Sequence, residues 1–275
     1  MSAENPYKTY CFGAMEVVRQ AASFIQGKHE NRNGSELDPE IGIESKGEHN
    51  FVTQVDTQAE EILVRGLSLL IPGAGFITEE GTSTRKGDRF NWIIDPIDGT
   101  TNFIHGAFPF AISVGLAEGD EVVCGIIYEF GHDETFYAWK DGGAWLDGKS
   151  IRVSQTGTVS QSLIATGFPY TDFRYLDNFM ESIRFFMKHS RGLRRLGSAA
   201  VDIAYVACGR YDAFYEYGLS PWDIAAGILL VKEAGGRSSD FEGHPDPLYR
   251  EDIICSNGRI QDEFQNVTRQ IMRDQ

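Results

Sequence analysis

Acidic residues stand at four places along the chain where a predicted strand ends or a predicted helix begins. They are Asp56, the pair Glu79-Glu80, Asp95 with Asp98, and Asp223. Taken singly, each has a structural explanation; Asp223, for example, follows Ser220-Pro221 and fits a helix capping box. The string WIIDPIDGTTNF (92–103) favours a functional explanation, because it places two acids, a glycine and a threonine directly after a buried strand.

The two aspartates of this string, Asp95 and Asp98, are separated by a Pro-Ile dipeptide. A turn at the proline would bring both carboxylates to one side of a site, where at about 4 Å they would repel by about 4 kcal/mol at an effective dielectric of about 20. No lysine or arginine lies between residues 90 and 110, so a bound cation is the expected counter-charge. Carboxylate and carbonyl oxygens suit Mg²⁺ or Mn²⁺ better than Zn²⁺.

The next two residues, Gly99 and Thr100, offer an unhindered backbone N–H and a hydroxyl, which suit a phosphate group. The chain as a whole is acidic, with 25 Lys and Arg against 40 Asp and Glu and a formal charge of −15. That charge disfavours nucleic acids and anionic membranes as partners. A phosphate-ester site in such a protein needs metal ions to reverse the local field.

Helices in the first part of the chain can be predicted from apolar spacing. Apolar side chains recur every three or four residues over 6–26 and again over about 57–70, which predicts two amphipathic helices. Thr57 and Glu60 have capping-box spacing at the start of the second. The polar segment 27–50 has no periodicity and predicts a long loop.

The remaining sequence divides into two patterns. Residues 76–151 alternate as strands do, with hairpin turns predicted at 118–120 and 141–143. After residue 153 strands alternate with helices, which is typical of an α/β arrangement. We therefore predict a strand-rich N-terminal half (1–152) and an α/β C-terminal half (153–275).

Composition limits the class of protein further. The 275 residues are 41% hydrophobic and 24% charged, as in a globular protein. The four cysteines are far apart and form no CxxC motif, the N-terminus lacks a basic-then-apolar signal pattern, and no apolar run is long enough to cross a membrane. These features predict a cytoplasmic protein without a membrane partner.

Four strings of the chain resemble the inositol monophosphatase family of Mg²⁺-dependent, lithium-sensitive phosphatases. They are GFITEE (75–80), WIIDPIDGTTNF (92–103), GSAAVDIAYVACGRYDAFYE (197–216) and SPWDIAAGILLVKEAGG (220–236). They follow in order over nearly the whole chain, and DPIDGTTNF with a distant WDIAAG is a highly specific combination. The resemblance implies an α/β (α+β) fold, a layered α-β-α-β-α sandwich of the sugar-phosphatase type, and a homodimer.

Carried over position by position, the resemblance implies functional roles for individual residues. The implied metal ligands are Glu79, Asp95, the main-chain carbonyl of Ile97, Asp98 and Asp223. The implied catalytic residues are Glu79, Thr100 and Asp56, the last as the partner of Thr100, with Lys46 as a loop residue near the metals. The implied substrate contacts are Asp98, Gly99, Thr100, Gly197, Ser198, Ala199, Glu216 and Asp223. The resemblance thus implies that the half 1–152 carries most of the metal ligands, and that the half 153–275 carries the substrate contacts and one metal ligand.

The activity implied is hydrolysis of a small polyol phosphate, most of all myo-inositol monophosphate. Two or three Mg²⁺ ions per subunit, or Mn²⁺ in their place, would assist a water oriented by Glu79 and Thr100 in direct, in-line attack on phosphorus. A second metal would stabilise the leaving alkoxide, and no phosphoenzyme would form.

Other substrates and one other class of function stay open. A 3′-phosphoadenosine 5′-phosphate phosphatase tends to show DPLDGTKEF and a lysine after a GSS turn, whereas DPIDGTTNF and GSAAVD here favour the inositol side. Histidinol phosphate and sugar phosphates could use the same site. The chain could also be a regulatory protein that retains the fold for protein contacts.

Two further motifs receive a structural interpretation. GAWLDGKS (143–150) matches the P-loop pattern formally, but no helix pattern follows it, so we predict a hairpin there. The cluster Arg191, Arg194 and Arg195 could bind a second phosphate or a partner protein; a solvated or dimer-contacting strand is the favoured interpretation.

Overall fold

The computed structural model describes residues 5–30, 43–47, 50–170 and 172–273, and only the backbone of 43–47 and 50–52. Its α-helices are α1 Pro6–Glu30, α2 Gln54–Leu70, α3 Thr100–His105, α4 Leu176–His189, α5 Ala199–Ala207, α6 Pro221–Glu233 and α7 Gln261–Met272. A hairpin of β1 Ile43–Gly47 and β2 Asn50–Thr53 precedes α2.

The larger sheet has seven strands in chain order. They are β3 Gly75–Thr78, β4 Phe90–Asp98, β5 Ala111–Glu118, β6 Glu121–Glu129, β7 Glu134–Trp139, β8 Ala144–Leu146 and β9 Lys149–Ile151. All neighbours are antiparallel except β3 and β4. The predicted turns at 118–120 and 141–143 join β5 to β6 and β7 to β8, and 143–150 forms a β8–β9 hairpin as predicted.

The smaller sheet has five strands in the order β11-β10-β12-β14-β13. They are β10 Leu163–Thr166, β11 Gly192–Arg194, β12 Ala213–Tyr217, β13 Arg237–Ser239 and β14 Asp252–Ser256. Strand β10 is parallel to both β11 and β12, whereas β14 is antiparallel to β12 and β13. The short strand β13 was not predicted, because three residues at a sheet edge leave no periodic signal.

Three apolar cores hold five layers together, because the second core spans the two interfaces on either side of α5 and α6. One joins α1 and α2 to the larger sheet, a second holds α5 and α6 between the sheets, and a third lies under α4 and α7. Strand β4 serves two of them: Trp92 and Ile94 belong to the first core and Ile93 to the second, as the alternation of side chains along a strand requires. The α-β-α-β-α sandwich is confirmed.

The region before α2 differs from the prediction. Helix α2 begins at Gln54, and its capping box pairs Thr53 with Asp56, so the predicted pairing of Thr57 with Glu60 is wrong. Both pairs have the same spacing, and the earlier one forms because β2 ends at Thr53. The predicted loop 27–50 contains the end of α1, strand β1 and the first residue of β2. Residues 31–42 and 48–49 lie outside the described chain. Among described residues no helix is long and apolar enough to cross a membrane.

Candidate active site

A bulge at the end of β4 sets the direction of its two aspartates. Asp95 pairs with Ser113 and Asp98 pairs with Ala111, so three steps along β4 match two along β5. In a regular strand, residues three apart point to opposite faces. The extra residue turns both carboxylates to the same face, and the bulge lies at the Pro-Ile dipeptide where a turn was predicted.

Helix α6 adds a third carboxylate to this face. The Ser220 N–H donates to Asp223 Oδ2 at 2.7 Å, so the predicted capping interaction exists. The start of α6 is also tied to the larger sheet, because Ser113 Oγ donates to the Trp222 carbonyl at 2.9 Å. Carboxylate oxygens of Asp95, Asp98 and Asp223 lie within 4.8 Å of one another. The capping and the functional interpretations of Asp223 are therefore compatible.

Glu79 reaches the same place from β3. Its N–H donates to the Ile94 carbonyl at 3.2 Å, which extends the β3–β4 pairing by one residue beyond β3. Its side chain lines the same cleft and hydrogen-bonds Asp95. The acids at 79, 95, 98 and 223 thus converge, although they come from three different elements of the chain.

This convergence is electrostatically costly without a cation. Burial raises the pKa of Asp95 well above its usual value, and the charges of Glu79, Asp98 and Asp223 raise it further. Burial raises the pKa of Asp98 to about 6 and, together with the charge of Asp98, the pKa of Asp223 to about 7. Within the described chain these three aspartates form no ion pair. A buried, all-oxygen donor set to which no described cationic side chain is paired fits a hard divalent ion such as Mg²⁺ or Mn²⁺.

The turn after β4 brings Thr100 against Asp56. The Thr100 hydroxyl lies 3.2 Å from Asp56 Oδ1 and 3.0 Å from the Ile97 carbonyl oxygen, either of which can accept its proton. Asp56 is fully buried, and burial raises its pKa to about 6. Gly99 adopts φ +95°, and a Cβ there would lie 3.1 Å from the Gly197 carbonyl oxygen, so a larger residue would be strained.

Two hydrogen-bonded contacts join this turn to the start of α5. Asp98 Oδ2 accepts from Ser198 Oγ at 2.6 Å and from the Ala200 N–H at 2.7 Å. Asn102 Nδ2 donates to the Pro109 carbonyl at 2.7 Å and to the Leu196 carbonyl at 2.9 Å. The predicted substrate residues 197–199 are consequently held beside the acidic cluster.

Glu216 enters the cleft from β12. It is nearly buried, and burial, followed by the charges of Asp223 and Asp98, raises its pKa well above the usual value. Its carboxylate occupies the space next to Gly167, where a Cβ would lie only 2.0 Å from Oε1. A glycine at 167 is therefore needed for this position of Glu216.

These residues surround one cleft of about 370 Å³. Of the predicted site residues, the ones that line it are Glu79, Asp95, Ile97, Asp98, Gly99, Thr100, Gly197, Ser198, Ala199, Glu216 and Asp223. Asp56 lies one layer behind, against Thr100. Lys46 lies on β1 and not in an irregular loop. Only its backbone is described, and the predicted position of its side chain near the metals stays a prediction.

Sequence reasoning did not assign several residues of the cleft. Asp202 is 1% exposed, and its Oδ1 has no hydrogen-bond partner among described residues. Arg195 turns into the cleft, with its guanidinium 5.1 Å from the Phe168 ring centroid and 5.4 Å from that of Tyr170. Arg195 is therefore half-buried and not fully solvated, whereas a dimer contact of this cluster stays a prediction. The one signal for Asp202 was an acid in an otherwise apolar helix.

Comparison with known proteins gives a consistent result. The model of the inositol monophosphatase family matches residues 6–273. An inositol-1-monophosphatase of Mesorhizobium japonicum is 40% identical over 248 residues, which are 90% of this chain and 92% of that protein. A Nus factor SuhB of Pseudomonas aeruginosa is 40% identical over 79% of this chain and 82% of its own. The crystal structure of the extragenic suppressor protein suhB from Bartonella henselae superposes with a TM-score of 0.86 at 35% identity, covering 93% of this chain and 96% of that one.

Proposed function

The chain belongs to the inositol monophosphatase family of phosphoric monoester hydrolases, and we propose that it hydrolyses small polyol monophosphates with Mg²⁺. We propose myo-inositol monophosphate as its preferred substrate. The observation that supports this most is the approach of the Asp95, Asp98 and Asp223 oxygens within 4.8 Å, with no cationic side chain paired to them in the described chain.

In this proposal the acidic cluster holds two or three divalent ions. The ligands are Glu79, Asp95, the Ile97 carbonyl, Asp98 and Asp223. When bound, the ions supply positive charge to the phosphoryl oxygens and the leaving oxygen and make a water more acidic. Asp98 has one oxygen occupied by Ser198 and Ala200, which leaves the other for an ion.

Thr100 and Glu79 orient the attacking water. Because the Thr100 hydroxyl donates to Asp56 or to the Ile97 carbonyl, its oxygen lone pairs are available to accept a hydrogen bond from water. Glu79 accepts the second hydrogen, and the water attacks phosphorus in line without a covalent phosphoenzyme. Asp56 contributes by fixing the rotamer of Thr100.

The substrate lies between the two sheets. Gly99 and Thr100 contact the phosphate, whereas residues 197–199 and Glu216 contact the hydroxyls of the polyol. A cleft of about 370 Å³ is in the size range of small-molecule sites. A 3′-phosphoadenosine 5′-phosphate, histidinol phosphate or sugar phosphate is the alternative substrate on the same residues.

Further properties form part of the proposal. They are inhibition by lithium at the metal site, a homodimer, a cytoplasmic location, and a division at residue 152 between most metal ligands and the substrate contacts. We also propose that the side chain of Lys46, a residue of β1, lies near the metals. The formal net charge of −15 supports the exclusion of nucleic acids and anionic membranes as direct partners.

A regulatory role is the second candidate function. It is supported by the relative named Nus factor SuhB, which has the same 40% identity to this chain as the inositol-1-monophosphatase of Mesorhizobium japonicum, over a shorter matched length. A purely regulatory protein would have no electrostatic reason to retain four converging acids, which favours the enzyme.

Phosphate release separates these candidates. The purified protein is incubated with inositol, histidinol, adenosine and sugar phosphates, with millimolar Mg²⁺ or with EDTA. The proposal expects Mg²⁺-dependent release that is fastest for inositol monophosphate. No turnover of any monoester with Mg²⁺ would contradict it and favour the regulator.

A further inference from the structure

Glu60 is a buried acid on α2 that lines no part of the cleft. Its side chain is 0% exposed, and in the described chain it forms no ion pair. Burying a carboxylate without a cation is unfavourable unless several donors satisfy it. The partners of Glu60 should therefore indicate why the acid lies there.

Those partners all belong to the turn that follows Glu79. Glu60 Oε2 accepts from the Glu80 N–H at 2.8 Å. Its Oε1 accepts from the Thr82 N–H at 2.8 Å and from Thr82 Oγ1 at 2.6 Å. The donors lie on both sides of Gly81, which has φ +69°. Three hydrogen bonds satisfy the two carboxylate oxygens of Glu60 and together fix the turn.

We propose that Glu60 is a positioning residue, which holds Glu79 in place for metal binding by fixing the turn after it. The inference rests on the proposed function of Glu79. Strand pairing holds Glu79 on one side, through its N–H to the Ile94 carbonyl. Glu60 holds the very next amide, so the residue that carries the metal-binding carboxylate is restrained at both ends.

The face of α2 that carries Glu60 also contacts the Thr100 turn, on the other side of the site. Asp56 and Glu60 are four residues apart and so lie one turn apart on α2. Asp56 contacts Thr100, and Glu60 contacts Glu80 and Thr82. Buried Ala59, Leu63 and Leu67 fix α2 against the larger sheet. Helix α2 therefore sets the separation between the Glu79 turn and the Thr100 turn.

The test replaces Glu60 by glutamine, which keeps the size but directs an NH₂ group at a backbone or hydroxyl donor. Glu61→Gln is the matched control, since Glu61 is the adjacent, exposed acid of the same helix. Binding of Mn²⁺ to metal-free protein is measured by electron paramagnetic resonance, alongside the Mg²⁺ concentration for half-maximal activity and KM at saturating Mg²⁺.

We expect E60Q to weaken Mn²⁺ binding about 10-fold or more, as loss of a group that orients a ligand does. The half-maximal Mg²⁺ concentration should rise in parallel, KM at saturating Mg²⁺ should stay within about 3-fold, and E61Q should match wild type. Unchanged Mn²⁺ affinity in folded E60Q would overturn the proposal. A rise in KM as large as the fall in Mn²⁺ affinity would also overturn the proposal, because a general structural role predicts that both change together.

If E60Q does not fold, the variant Thr82→Val tests the positioning role instead, because it removes one hydrogen-bond donor to Glu60 and leaves the carboxylate in place. Weaker Mn²⁺ binding by T82V supports the positioning role, and unchanged binding overturns it. Failure of the positioning role of Glu60 can be distinguished from failure of the proposed phosphatase activity. Wild-type protein that binds Mn²⁺ but hydrolyses no monoester would refute the phosphatase, whereas an active wild type with normal E60Q metal binding would refute only the role of Glu60.

Discussion

Ser198 donates its hydroxyl proton to Asp98 across 2.6 Å, and this contact joins residues 100 positions apart in the chain. Asp98 stands in the bulge of β4, and Ser198 is the N-cap of α5. The same carboxylate thus belongs to the acidic cluster and to the cap of the helix that carries the predicted substrate contacts. The proposed metal site and the proposed substrate turn are consequently coupled through one side chain.

Replacing Asp98 by asparagine tests this double role. The amide oxygen can still accept from Ser198 and Ala200, and the change removes one negative charge from a repulsive cluster. We expect turnover to fall by about 10³-fold or more, because a proposed metal ligand is lost. The unfolding midpoint of the metal-free protein should be unchanged or higher. Near-normal phosphate release by D98N would count against the site.

The metal-free protein should lose stability as pH rises. The pKa values of Asp56 and Asp98 are raised to about 6, and that of Asp223 to about 7. The folded state therefore binds more protons than the unfolded state between about pH 4 and about pH 7, and stability falls through that interval. Mg²⁺ should offset the loss, so the Mg²⁺-induced rise in unfolding midpoint should be larger at pH 8 than at pH 5. Thermal unfolding at pH 5 and pH 8, in EDTA and in Mg²⁺, measures the unfolding midpoints. An equal Mg²⁺-induced rise in midpoint at the two pH values would be inconsistent with this electrostatic account.

Gly167→Ala should impair substrate binding. The added Cβ would lie 2.0 Å from Glu216 Oε1, so the carboxylate must move. We expect KM to rise about 10-fold while Mn²⁺ affinity stays at the wild-type value, because no proposed metal ligand touches residue 167. Gly157→Ala is the control, since a Cβ there has nothing within 4 Å. A normal KM in G167A would show that the position of Glu216 is unimportant.

Glu216→Gln should change substrate preference more than metal binding. The proposed hydroxyl contact needs an acceptor, and glutamine replaces one of the two acceptor oxygens by a donor. The ratio of kcat/KM between inositol monophosphate and a simple alkyl phosphate should fall about 10-fold, with an unchanged Mg²⁺ requirement. Steady-state kinetics on both substrates provides the measurement, and an unaltered preference across polyol phosphates would refute the assigned role.

The fold class was predictable because the strands and helices of this chain have regular apolar spacing. Trp92, Ile93 and Ile94 mark a strand covered on both faces, and the structure confirms it. The start of α2 was not predictable, since Thr53 with Asp56 and Thr57 with Glu60 offer the same local pattern. Only the end of β2 decides between them, and a sheet register is a long-range property.

The acids of the site were identifiable from their positions at element ends, but their arrangement was not. A sequence shows that Asp95 and Asp98 are three residues apart; the bulge that turns both to one face depends on pairing with β5. Arg195 and Glu60 were misjudged because each has an ordinary surface or capping explanation locally. The partners of both side chains, and the burial of Glu60, come from segments distant in sequence.

The most direct test of the convergence of these acids on divalent ions is the anomalous difference map of crystals soaked in Mn²⁺. We predict at least one strong peak at coordination distance from carboxylate oxygens of Asp95, Asp98 and Asp223. A map without a peak among these three side chains, at a Mn²⁺ concentration that supports phosphate release in solution, would contradict the account.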